Sequence, residues 1–76
     1  MPDPEKLIEQ LRQNPIDVRF ETLQNLLYHK GYQLTHARGS HFRFKKEGKT
    51  SITLVVHHNK VKKWYVKKLI TILSYE

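Results

Sequence analysis

The chain has 76 residues, a formal net charge of +7 and no cysteine. A single domain of this size buries roughly 60% of the surface its unfolded form exposes, which leaves little room for a deep cleft and makes a shallow surface site the expectation. The lack of cysteine excludes disulfides, thiolate metal sites and thiol nucleophiles. No apolar run reaches the length of a membrane span or a signal-peptide core, so the cytoplasm is the expected compartment.

Charge is distributed unevenly. Residues 1–28 hold three basic and five acidic side chains, whereas residues 29–76 hold eleven basic and two acidic ones. A basic region this concentrated attracts polyanions, among which nucleic acid is the commonest.

In chain order, Asp3-Pro4 supplies an N-cap and a proline at the first helical position. Leu7, Ile8 and Leu11 then form a narrow apolar stripe, and Asn14-Pro15 ends the helix because proline disfavours helical geometry in the residue before it. Ile16 to Arg19 reads as a connector. A second helix is expected from about Phe20 to Lys30, with Phe20, Leu23, Leu26 and Leu27 on one side and Gly31 as its left-handed C-terminal cap.

Three strands are expected next. Tyr32 to Ala37 alternates, with Tyr32 and Leu34 inward. His41 to Lys46 places Phe42 and Phe44 on one face and His41, Arg43 and Lys45 on the other. Ser51 to His57 turns Ile52, Leu54 and Val56 inward and Thr53, Val55 and His57 outward. A three-residue loop centred on Gly48 lets Phe44 pair with Ile52 and Phe42 with Leu54, glycine supplying the positive φ of such a loop. His41 then lies opposite Val55, with His57 its diagonal neighbour at roughly 7–8 Å.

The last helix is expected from about Lys60 to Tyr75, with Asn59 as N-cap. Val61, Tyr65, Val66, Leu69, Ile72 and Leu73 cover one arc, and Lys63, Lys67, Lys68 and Trp64 lie outside it. Cations Lys60, Lys62 and Lys63 in a first turn oppose the helix dipole by about 0.3–1 kcal/mol each. A bound phosphate would relieve that conflict. Trp64 reads as a stacking platform for a base, an anchor for a protein partner, or a cover over the edge of the core. The expected fold class is α+β, ordered α-α-β-β-β-α, with no repeats and no second domain.

Gly39-Ser40-His41-Phe42-Arg43-Phe44, a Gly-centred hairpin, and Val56-His57-His58-Asn59-Lys60 leading into a basic helix together resemble the HicA family, ribonuclease toxins of toxin–antitoxin pairs. The resemblance covers about residues 20–75, so residues 20–76 read as a HicA-like ribonuclease domain and residues 1–19 as an N-terminal helical extension. It implies a fold like a double-stranded-RNA-binding domain, a three-stranded antiparallel sheet with two helices on one face. It also implies cleavage of messenger RNA with His41 as the catalytic residue, and a HicB-type antitoxin that covers the site. Trp64-Tyr65 stands where small residues such as Gly-Thr are usual in that family.

The expected chemistry is metal-independent, with no cofactor: the RNA 2′-OH attacks its own phosphodiester. His41 removes the 2′-OH proton or protonates the leaving 5′-oxygen, since imidazole titrates at about 6.5. Gly39 and Ser40 position it. Arg43 and Lys45 would favour its neutral form and stabilise charge on the phosphate oxygens. Lys60, Lys62, Lys63 and Trp64 are further candidate RNA contacts, and His57 is the candidate second proton-transfer group. Three other readings use the same residues. The first is a non-catalytic RNA-binding module of the same fold, for which His41 would be dispensable. The second is an adaptor that meets an acidic protein through Trp64 and the lysines. The third is a metal site, for which His57 and His58 are poorly placed because consecutive strand residues face opposite ways. His29 reads as a helix-surface residue and His36 as a strand-end residue.

Overall fold

Asp3 accepts the Glu5 backbone N–H on its carboxylate at 2.9 Å and opens α1 (Pro4–Gln13). A computed structural model of the chain describes residues 3–75. Beyond α1 the order is β1 (Val18–Arg19), α2 (Phe20–His29), β2 (Gln33–Arg38), β3 (His41–Lys45), β4 (Ile52–His57), β5 (Lys60–Val61) and α3 (Lys63–Ser74). Among the described residues the fold is α+β: three helices and an open antiparallel sheet of five strands in the order β1-β5-β4-β3-β2.

Helix α2 ends as its sequence dictates. Gly31, at φ +90°, donates its N–H to the Tyr28 carbonyl at 3.1 Å, and Tyr32 donates to the Leu27 carbonyl at 2.9 Å. This is the paired pattern of a Schellman cap. The Lys46 ammonium adds a bond to the Lys30 carbonyl at 2.7 Å, placing a cation at the negative end of the helix. Lys46 therefore serves the fold.

The central hairpin keeps the register that the phenylalanines demand. Phe44 pairs with Ile52, Phe42 with Leu54 and His41 with Val55, with Gly48 in the turn at φ +75°. Phe44 and Leu54 are fully buried and Ile52 nearly so. They join Leu23, Leu26, Leu27, Tyr32, Val61, Val66, Leu69 and Leu73 in one core, and α1 adds Leu7, Ile8 and Leu11. Phe42 is half-buried, its ring 4.6 Å from that of Phe20. Helix α3 packs on β4, α2 on β1, and α1 on both helices.

Four expectations need correction. The sheet has five strands where three were expected, because β1 and β5 are two residues each, too short to alternate visibly. Val18 pairs with Val61 and Arg19 with Lys60. The last helix begins at Lys63 instead of Lys60, and Asn59 is not its N-cap. His57 pairs with Lys60 across a two-residue loop in which His58 and Asn59 both have positive φ, +52° and +66°. Both signs positive is the type I′ hairpin geometry, and Asn and His are among the residues that tolerate it best. Lys62 occupies the cap position without a capping side chain, Val61 is buried as a strand residue, and Ile70 joins the buried helical face. His58 thus lies in a turn, not a strand.

The fourth correction concerns β2. The register shifts between Leu34 and His36, a bulge at Thr35 whose hydroxyl donates to the Arg43 carbonyl at 3.3 Å. An extra residue reverses the alternation beyond it. Tyr32 is buried as expected, but Leu34, on the sheet's edge strand, remains 36% exposed.

The turn geometry sets a test of Asn59. Replacing it with Val, which resists positive φ, should cost about 1–2 kcal/mol of unfolding free energy, whereas Asn59→Gly should leave stability unchanged or raise it. Urea denaturation distinguishes these outcomes, and a clear loss with Gly would contradict the turn assignment.

Candidate functional site

The sheet has one face under the helices and one open face. Cross-strand pairing fixes what the open face carries. Arg38 lies opposite His41, which lies opposite Val55; His36 lies opposite Arg43, which lies opposite Thr53. A third row runs from His57 through Lys60 to Arg19. Every one of these side chains is exposed except Val55, which is half-buried.

His41 is held at the start of β3 by its neighbours in sequence. Arg38 and His41 close a two-residue hairpin loop with Gly39 first, at φ +58°. A β-carbon at Gly39 would meet no atom within 4 Å, so conformation and not space requires glycine there. The half-buried Ser40 accepts the Val56 N–H on its carbonyl at 2.8 Å, tying the loop to β4 just before His41. The Gly39-Ser40 loop thus leads directly into His41, whose side chain is exposed.

A surface cavity of about 420 Å³ is lined by His36, Arg38, His41, Phe42, Arg43 and Thr53. Two imidazoles and two guanidiniums therefore border one space. Among the described residues, no carboxylate forms an ion pair with Arg38, His41 or Arg43. Both guanidiniums keep their donors free for an incoming anion, which they can grip in bidentate fashion.

The remaining sequence candidates spread outward from this cavity. His57 is diagonal to His41, as the register requires, but lines a separate cavity of about 230 Å³ with Ile16, Asp17, Lys60, Val61, Lys62 and Lys63. Lys60 is 3.6 Å from the Asp17 carboxylate in an exposed ion pair. Lys45 is exposed beyond Arg43 on β3, opposite Gln33. Trp64 is 61% exposed, with the Tyr65 ring edge-on at 4.7 Å and the Lys68 ammonium 5.1 Å from its centroid. It does not cover the core. It lines a small cavity with Thr53, which also borders the histidine cavity.

Sequence reasoning missed His36, Arg38 and Thr53 as members of this cavity. Unbroken alternation from Tyr32 and Leu34 would turn His36 inward. The available signal was the short Gly39-Ser40 loop, which pairs residue 38 with 41 and hence 36 with 43. His29 ends α2 on the surface as expected. Among the described residues, no group of three or more His, Cys, Asp or Glu is placed to hold a metal ion, and no helix is long and apolar enough to cross a membrane.

Fold and surface together define a small α+β protein with a basic, histidine-bearing open sheet face. Residues 20–73 match the family model described as the HicA toxin of bacterial toxin–antitoxin pairs. The chain belongs to the HicA family and is the toxin component of a toxin–antitoxin system, which implies an antitoxin partner. No curated protein and no solved structure gives a significant match.

The bulge can be tested by deletion. Removing Thr35 should leave a regular ladder with Leu34 opposite Phe44 and His36 still opposite Arg43, at a cost of about 1 kcal/mol or less. Removing Ala37 should carry His36 to the other face. Cross-strand NOEs between His36 and Arg43 would survive the first deletion and vanish in the second.

Proposed function

We propose that this toxin is a metal-independent endoribonuclease that cleaves messenger RNA in the cytoplasm and is neutralised by a HicB-type antitoxin. One observation carries the reading: an exposed imidazole, His41, faces a cavity shared with two unpaired guanidiniums, Arg38 and Arg43. On this reading residues 20–76 are the ribonuclease domain, with the core order and one-sided helices of a double-stranded-RNA-binding domain, and residues 1–19 extend it.

The chemistry follows from what RNA itself supplies. The 2′-oxygen attacks the adjacent phosphorus and the bond to the 5′-oxygen breaks, leaving a 2′,3′-cyclic phosphate and a 5′-hydroxyl. One proton leaves the 2′-OH and one reaches the 5′-oxygen, and His41 performs one of these transfers. Arg38 and Arg43 hold the non-bridging oxygens, where charge accumulates. Lys45, Lys60, Lys62 and Lys63 meet flanking phosphates, and a base stacks on Trp64. The requirement for a 2′-OH excludes DNA as a substrate.

His41→Ala should lower cleavage of single-stranded RNA by about 10²–10⁴-fold while leaving RNA affinity largely intact. Wild-type products should end in 2′,3′-cyclic phosphate, with or without a chelator. Equal cutting by both proteins, or cutting abolished by the chelator, would overturn the mechanism. Binding measured over a salt series gives a second check. Each of Lys62→Ala and Lys63→Ala should flatten the slope of log K against log salt by about 0.7, the share of one phosphate contact on a single strand.

A further inference from the structure

We propose that His36 is the second proton-transfer residue, so that the imidazoles of His36 and His41 divide the two proton movements of the cleavage between them. The inference rests on the ribonuclease reading and adds to it a group that neither motif nor family match assigns. His36 sits on β2 one row from His41: Arg38 is opposite His41, and His36 is two residues before Arg38 on the same face. Diagonal positions of this kind lie roughly 7–8 Å apart at their α-carbons, and less at their side chains. Two rings at that spacing can stand on either side of one phosphate.

The surrounding charges support this placement. Arg43 lies directly opposite His36 and two residues after His41, so its guanidinium stands beside both imidazoles. Arg38 holds the reciprocal position, opposite His41 and two residues after His36. The four side chains line one cavity of about 420 Å³. A phosphodiester gripped by the two guanidiniums would present its attacking and leaving oxygens toward the two imidazoles. His57 is also diagonal to His41, but it lines a different cavity with Lys60, Lys62 and Lys63. The Thr35 bulge is what turns His36 onto the open face, which gives an otherwise irregular edge strand a chemical purpose.

The step balances without any further reactant. The neutral imidazole takes the 2′-OH proton as the 2′-oxygen bonds to phosphorus. The protonated imidazole gives its proton to the 5′-oxygen as the P–O5′ bond breaks. The products are the cyclic phosphate and the 5′-hydroxyl, and proton exchange with water restores both rings.

The test compares wild type, His36→Ala, His36→Gln and His41→Ala on RNA with an ordinary linkage and on the same RNA with a bridging 5′-sulfur at the cleaved position. Thiolate leaves without protonation, so only the variant lacking the general acid should recover on the sulfur substrate. Both His36 variants should lose about 10²–10⁴-fold on ordinary RNA, with unchanged circular dichroism, because His36 is exposed on an edge strand. The bell-shaped pH profile of kcat/KM should lose one limb in His36→Ala and the opposite limb in His41→Ala. Sulfur should rescue one of the two alanine variants and not the other. A His36→Ala protein that cleaves within about threefold of wild type, or that keeps both limbs of the profile, would overturn the assignment while leaving His41 and the ribonuclease reading intact. Wild-type protein that binds both RNAs and cuts neither would end both.

Discussion

Pairing of β3 with β4 is the constraint on which the molecule depends. Phe44 and Ile52 share a row, half-buried Phe42 and Leu54 the next, and the burial of Phe44, Ile52 and Leu54 leaves no freedom to slide. A shift of one residue would move Phe44 into water and His41 toward the core. Fully burying one such side chain contributes about 1.5–3 kcal/mol, so the register is fixed by apolar residues alone. The polar residues between them are then free to serve chemistry. In a strand of five residues, the apolar side chains and the exposed basic ones occupy opposite faces.

The far side of the sheet depends on local backbone geometry more than on burial. Gly39 at φ +58°, the Thr35 bulge and the His58-Asn59 turn all sit where a strand of the open face begins, changes phase or ends. Each converts a short stretch of sequence into a defined neighbour for His41 or His57. Helix α3 shows the opposite relation. Its first turn has no acidic residue and Lys62 and Lys63 stand at its positive end, an arrangement that disfavours the helix by a few tenths of a kcal/mol or more per lysine. The burial of Val66, Leu69, Ile70 and Leu73 offsets that loss.

What the sequence made legible was what periodicity and caps control. Asp3-Pro4, Gly31, the Phe42 and Phe44 alternation and the Gly48 turn gave α1, α2 and the central hairpin nearly to the residue, and with them the outward face of His41. What stayed hidden were features set by tertiary pairing. Two-residue strands carry no period, so β1 and β5 could not be seen in Val18-Arg19 and Lys60-Val61. Val61 has the spacing of a helical face as well as of a strand, and only the turn at His58-Asn59 decides between them. A bulge leaves no compositional mark, so Thr35 concealed the orientation of His36. The motif around His41 was therefore readable, whereas its companions across the sheet emerged from the pairing.

The most direct measurement of the working face is an NMR titration of the labelled protein with single-stranded RNA that is 2′-O-methylated throughout and so cannot be cleaved. Perturbations are expected to centre on His36, Arg38, His41, Arg43 and Thr53, with weaker effects reaching Lys62, Lys63 and Trp64. A second basic surface cavity, of about 410 Å³ between α1 and α3, is lined by residues including Arg12, Lys67 and Thr71 and should stay silent. Shifts concentrated on that groove, with the open sheet unmoved, would contradict the assignment of the sheet face.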